Sequence, residues 1–247
     1  MKTAGPMFYQ AARALNLAYK WCYPLYQPLY WTYKRIKDRE SIAQLQSTVR
    51  HGMQVVDIGA GIGFYTCLLS SLVGKDGHVY AYEPDAENFG HLYRNTRRLT
   101  NATVHRCAAG ERSGTIRLYR SDAMNVDHQT YDSGEGRPFS DVACVALDED
   151  LGVLPSVDIV KIDVQGYDYW ALKGMEQLLR RSPSVRVFGE LSPYGLSKAG
   201  ASADAYLSFL KSLGFTVKVA TAAGPMSCGD RPSDKRFYTD FVATKQE

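Results

Sequence analysis

The chain has 247 residues, 45% of them hydrophobic, which is enough for one large domain with a real core. A formal net charge of +3 is too mild for a nucleic-acid binder, which needs a clustered basic face. Cys22, Cys67, Cys107, Cys144 and Cys228 are scattered, with no C-x-x-C and no Cys/His pair at zinc spacing, so they are expected to be reduced thiols of a cytoplasmic protein without a metal site.

Residues 1–37 contain no acid, and Asp38 is the first. Arg13, Lys20, Lys34, Arg35 and Lys37 lie among Phe8, Tyr9, Tyr19, Trp21, Tyr23, Tyr26, Tyr30, Trp31 and Tyr33, and Pro24 and Pro28 are expected to break any continuous helix. Such aromatic, basic composition suits helices packed over a domain edge, a lid, a partner protein or peripheral contact with a membrane surface. No apolar run approaches bilayer-spanning length and no signal-peptide pattern is present. Residues 1–50 are therefore read as a helical extension, with residues 41–49 as its last helix, and residues 51–247 as the domain.

The domain opens on Q-V-V-D-I-G-A-G-I-G-F-Y-T, from Gln54 to Thr66. Val55, Val56 and Ile58 form the short apolar run of a strand buried on both faces. Gly59, Gly61 and Gly63 then allow a sharp turn and close approach of a ligand to the backbone, next to the start of a helix over residues 65–73. Further strands are expected at 78–82, 103–107, 114–119, 142–147, 157–164, 185–190, 215–220 and 237–244. Helices are expected at 86–99, 168–181 and 203–213. Strands alternating with helices imply an α/β fold, Rossmann-like, with a mainly parallel sheet covered on both faces. The polar stretch 121–140 is too long for an ordinary connection, and loops of that length are usually functional.

Ligands of open α/β sheets bind beyond the carboxyl ends of the strands, here Asp57 and Gly59, Glu83, residues 107–109, Asp163 and Glu190. Glu83 lies about 20 residues beyond the glycine turn, where an acid takes a ribose hydroxyl pair. Two cofactors fit, a nicotinamide dinucleotide or S-adenosylmethionine. Phe64 stands where G-x-G-x-x-G needs its third glycine, and Asp57 would repel a pyrophosphate but suits an ammonium group, so both details favour S-adenosylmethionine.

V-V-D-I-G-A-G-I-G-F-Y-T, V-Y-A-Y-E-P-D-A-E-N-F-G-H-L-Y-R-N, V-A-L-D-E-D-L and D-I-V-K-I-D-V-Q-G-Y-D-Y-W-A-L-K-G-M, in that order, resemble the successive motifs of the FkbM family of class I methyltransferases. The resemblance implies a seven-stranded sheet with an antiparallel last hairpin and transfer of a methyl group, usually to oxygen. It also implies that Asp57, Gly59 and Gly63 hold the methionine part of S-adenosylmethionine, with Gly61 in the same cofactor-binding turn, that Glu83 takes the ribose and that Ala108 and Ala109 lie near the adenine. Two positions depart from the family pattern. Gly61 stands where Asn is frequent, and Gln165 stands where K-I-D-V-E-G is common; an amide neither takes a proton near neutral pH nor carries charge.

For catalysis, Asp163 is the acid best placed to face the transferred methyl group, or else caps the following turn. His128, in N-V-D-H-Q-T-Y-D, resembles a family D-H-x-x-Y segment and is a second candidate, and Glu190 is expected to bind the acceptor or tie down its loop. The leading expectation is O-methylation of a hydroxyl on a small molecule, sugar or lipid-linked acceptor. The alternative is a catalytically weak cofactor-binding module recruited to a membrane or partner by its N-terminus. A nicotinamide oxidoreductase is a third reading, disfavoured by Phe64 and Asp57.

Overall fold

The computed structural model describes Tyr19 and residues 22–121, 128–219 and 238–245. Its central strand is β1 (Gln54–Ile58), whose last four residues are fully buried between two neighbours and two helical layers. It pairs in parallel with β2 (His78–Tyr82) and, on its other side, β7 (Ile159–Ile162). Adding β3 (Ala102–His105), β8 (Arg186–Leu191), β9 (Phe215–Val219) and β10 (Thr239–Lys245) gives the order β3-β2-β1-β7-β8-β10-β9. β10 runs antiparallel to both β8 and β9, so the sheet is mainly parallel and closes on an antiparallel hairpin. Chain order reverses between β1 and β7, the switch point at which such sheets bind ligands.

The amino-terminal helix α1 (Tyr23–Lys37) is continuous, which corrects the expectation that Pro24 and Pro28 interrupt it. Pro24 sits in the first turn, where its missing N–H has no intrahelical acceptor, and Pro28 costs the ladder one hydrogen bond a turn later. α1 is held to the domain by its tyrosines. Tyr23 stacks on His91 with ring centroids 3.5 Å apart, Asn95 donates to the Tyr23 hydroxyl, and Tyr19, Tyr23 and Tyr26 bury Ile62. α2 (Arg39–Thr48) follows and inserts Leu45 beneath α3 (Phe64–Val73). α4 (Ala86–Thr96) starts on Asp85, whose carboxylate accepts the backbone N–H groups of Glu87 and Asn88.

Two further differences have local causes. β6 (Phe139–Val145), expected at 142–147, belongs to a second, three-stranded sheet with β4 (Ala108–Ala109) and β5 (Gly114–Tyr119), because β5 and β6 pair as a long antiparallel ladder. After the short α5 (Leu147–Asp150) and β7, the helix expected over 168–181 is split into α6 (Asp168–Lys173) and α7 (Glu176–Arg181). A Cβ on the intervening Gly174 would stand 1.8 Å from the Gly110 carbonyl oxygen, so the chain bends where two backbones touch. α8 (Pro193–Lys198) and α9 (Ala203–Ser212) complete the helical layers. Cys228, Phe8, Tyr9, Arg13, Lys20, Trp21 and the loop before β10 lie outside the described residues. No described helix is long and apolar enough to cross a membrane.

Candidate functional site

Beyond the carboxyl ends of β1, β2 and β7 lies a cavity of about 230 Å³. The glycines of the turn that edges it have separate tasks. Gly59, at φ +80°, carries no Cβ because one would stand 2.1 Å from the Asp163 carbonyl oxygen, so it lets the ends of β1 and β7 close on each other. A Cβ on Gly63 would meet Leu92 at 2.9 Å, so Gly63 serves helix packing and does not line the cavity. Only Gly61, at φ +55°, has nothing within 4 Å of its Cβ position while lining the cavity, which leaves room for a ligand against its backbone.

Glu83 is a wall residue fixed from below. Its Oε2 accepts the Gly61 N–H at 2.8 Å and its Oε1 the Asp85 N–H at 2.9 Å, leaving lone pairs for two hydroxyl donors. Burial raises its pKa to about 7, against the lowering effect of those backbone bonds. Ala108 and Ala109 line the same cavity with Ile62, Pro84 and Leu118, an apolar slot for a flat ring. His128 also lines it, on the β2 flank. Its Nδ1 accepts the Ser121 N–H at 3.2 Å and its Nε2 lies 3.9 Å from Asp85 Oδ1.

Asp57 is not on the cavity wall. It is fully buried, its Oδ2 accepts the Thr66 hydroxyl at 2.7 Å, and Oδ1 has no hydrogen-bond partner but lies 3.8 Å from Lys161 Nζ. The same ammonium is 3.8 Å from Asp163 Oδ2 and 4.5 Å from the centre of the Tyr65 ring. Burial opposes the charge of Lys161, but Asp163 and Asp57 outweigh it and raise its pKa. Burial likewise works against ionisation of Asp163, yet Lys161, Lys34 and Lys37 prevail and hold its pKa below the ordinary value. Asp163 is thus a carboxylate at neutral pH, open to the cavity, and the Gln165 amide donates to its Oδ1 at 3.3 Å.

Glu190, at the end of β8, has the opposite character. Burial first, then the neighbouring Asp163, Asp168 and Asp240 carboxylates, push its pKa up to about 9, so it is a neutral acid at physiological pH. It lines the first cavity and also a second of about 360 Å³, whose walls come from α1, α2, β8 and β10. The two share Lys34, Lys37, Tyr65, Lys161, Asp163 and Glu190. Asp163 and Glu190 therefore stand at the junction, whereas His128 lines only the first cavity, beside Asp85 beyond the end of β2. Among the described residues no group of three or more His, Cys, Asp or Glu side chains is arranged to hold a metal ion.

Lys161 and the α1 lysines escaped the sequence reading. A lysine inside I-V-K-I, a strand otherwise wholly apolar, was the available signal, because a buried ammonium needs carboxylate partners. Nothing local marked Lys34 and Lys37, which reach the cavities from a helix over 120 residues away in sequence from Asp163.

An open backbone at Gly61, a carboxylate with lone pairs for a hydroxyl pair and an apolar slot fit S-adenosylmethionine. The comparisons agree. The family model of the methyltransferase FkbM domain matches residues 57–217. The hexuronic acid methyltransferase AglP of Haloferax volcanii is 29% identical over 128 residues, so the match spans about half (50%) of each chain. Among solved structures, an rRNA methylase from Streptococcus thermophilus, 15% identical, superposes with a TM-score of 0.50 over 84% of this chain and 95% of that one. A methyltransferase FkbM from Methylobacillus flagellatus, 16% identical, gives a TM-score of 0.49 over 95% of this chain and 58% of that one. With the domain signature running from the end of β1 into β9, this chain belongs to the FkbM methyltransferase family.

Proposed function

We propose that this chain, an S-adenosylmethionine-dependent methyltransferase, methylates a hydroxyl oxygen and that the hydroxyl belongs to a sugar. The bound cofactor supplies an electrophilic methyl group on a sulfonium, so the protein's own work is alignment and removal of the acceptor's proton. Glu83 accepts the ribose hydroxyls, Gly61 leaves room beside its backbone, and Ala108 and Ala109 form one side of the adenine slot. Asp163, kept ionised by Lys161, accepts the acceptor's proton at Oδ2 while Gln165 holds Oδ1. Glu190, protonated, donates a hydrogen bond to a second acceptor oxygen.

The observation that carries this reading is the junction of the two cavities at Asp163 and Glu190, one cavity fitting the cofactor and the other left for an acceptor. The second cavity is lined mostly by charged and hydroxyl side chains, including Lys37, Ser41, Tyr238 and Asp240, which suits a ligand with many hydroxyls. The match to a relative named for hexuronic acid supports the same class. The test is to incubate the protein with methyl-labelled S-adenosylmethionine and a panel of neutral and acidic sugars. Label in a base-stable methyl ether is expected; label only on nitrogen or carbon, or on no sugar, overturns the reading.

A further inference from the structure

Of the eight large hydrophobic side chains exposed among the described residues, four belong to α1: Leu25, Leu29, Tyr33 and Ile36, at 65%, 58%, 45% and 71% exposure. Their spacing of four, four and three places them in one stripe along the helix. The stripe is not the face that holds α1 to the domain, which is the face of Tyr23 and Tyr26 and their contacts with His91 and Asn95. Tyr33 belongs to the stripe and also lines the first cavity, so the stripe begins at the cavity's mouth.

We infer that this face of α1 docks on an anionic lipid surface. The argument for that occupant is charge. Residues 1–37 carry six Lys or Arg and no Asp or Glu, and Arg35, on α1 itself, is exposed. Of the three cations on α1, Lys34 pairs with Asp38, and Lys34 and Lys37 line the cavities, which leaves Arg35 outward. An apolar stripe on a basic, acid-free segment is the pattern of a helix lying in a membrane interface, where apolar side chains enter the acyl boundary and cations meet anionic headgroups. A second copy of the chain is a poorer occupant. Four side chains offer on the order of a few hundred Å², below the roughly 800 Å² per partner of a stable interface, and pairing two such helices brings like charges together. Docking would bring the mouth of the cavity to the headgroup layer, so a membrane-bound acceptor would meet Asp163 without leaving its membrane.

The test uses the full chain and vesicles of neutral phosphatidylcholine, with or without about one third phosphatidylglycerol. Co-sedimentation with the anionic vesicles alone is expected, weakening at least tenfold when salt rises from about 0.1 to 0.5 M. Leu25→Ser/Leu29→Ser/Ile36→Ser should lose at least tenfold in vesicle affinity, and Arg35→Gln a smaller factor, while both keep the parent's melting temperature and S-adenosylmethionine affinity. Absence of binding by the parent overturns the inference, and so does a triple variant that binds as the parent does. A parent that is dimeric by sedimentation velocity and becomes monomeric in the triple variant, with no vesicle binding, assigns the stripe to a second copy instead.

Discussion

The side-chain amide of Gln165 donates to Asp163 Oδ1 at 3.3 Å from a backbone held at φ 54°, the one non-glycine residue with positive φ among those described. Left-handed backbone costs a residue with a Cβ about 1–2 kcal/mol, and here it places a neutral donor beside a carboxylate whose pKa is held below the ordinary value. On the reading proposed above, the departure from K-I-D-V-E-G suits Asp163, since the amide donates to it where an ionised acid would repel it.

Gln165→Glu should therefore raise the pKa of Asp163 by placing a like charge beside it. The acidic limb of the pH–rate profile should move upward by about one unit, with S-adenosylmethionine affinity within a few-fold of the parent. An unmoved limb would detach Gln165 from the proton route.

Asp163 and Glu190 should respond differently to loss of charge. If Asp163 is the base, as proposed, Asp163→Asn should cut turnover about 10²–10⁴-fold. Glu190→Gln replaces one neutral donor by another and should cost less than about tenfold near pH 7. The folded-state pKa of Glu190 is raised, so its contribution to stability is full below the ordinary glutamate range and is lost as pH rises through about 9. Glu190→Gln should flatten that alkaline decline in melting temperature.

Glu83, raised to about 7, links cofactor affinity to pH. Ribose hydroxyls donate to the ionised form, so S-adenosylmethionine should bind more tightly as pH rises through about 7, and calorimetry across pH 6 to 8 should detect the rise. Folding stability should run the other way: the contribution of Glu83 is full below the ordinary glutamate range and is lost as pH rises through about 7. Glu83→Gln should weaken binding by about 1.5–3 kcal/mol and abolish the pH dependence.

Lys161→Met leaves Asp57 buried without its cation and should destabilise the fold by about 3–5 kcal/mol. Asp57→Asn in the same chain should restore part of that loss, since the uncompensated charge is gone. Urea denaturation of the single and double variants gives the comparison, and additive losses would mean the pair does not interact.

The two glycines on the cavity wall separate folding from binding. Gly59→Ala drives a methyl group into the Asp163 carbonyl and should cost about 2–4 kcal/mol of stability. Gly61→Ala meets no protein atom and should leave the fold within about 1–2 kcal/mol of the parent while weakening S-adenosylmethionine binding. Equal binding by the Gly61 variant would move the cofactor away from that wall.

The cofactor side was largely legible in the sequence because its parts lie close together: the apolar run of β1, the glycine turn and Glu83 fall within thirty residues, and Glu83 is joined to Gly61 by a hydrogen bond. The place of Asp57 was less legible, since a carboxylate before a glycine turn reads the same whether it faces a ligand or a buried lysine. The second cavity, proposed for the acceptor, was hidden for a different reason. Lys37 and Ser41 come from one end of the chain, Tyr238 and Asp240 from near the other, and only the folded sheet brings them to one cavity. Prolines misled the reading of α1, because their cost depends on position in the helix and not on their presence.

The hydroxyl of Ser41 donates to Asp240 Oδ2 at 2.8 Å, and Asp240 stands opposite Glu190 in the ladder of β8 and β10. This closure joins residues 199 positions apart, so it comes late in the life of a nascent chain. A ribosome that has released β1 through β8 has delivered every wall of the first cavity, yet the neighbouring cavity still lacks Tyr238 and the strand β10 that bears Asp240 and Phe241. On the proposed reading, a growing chain would thus possess the walls of the donor cavity before those of the acceptor cavity.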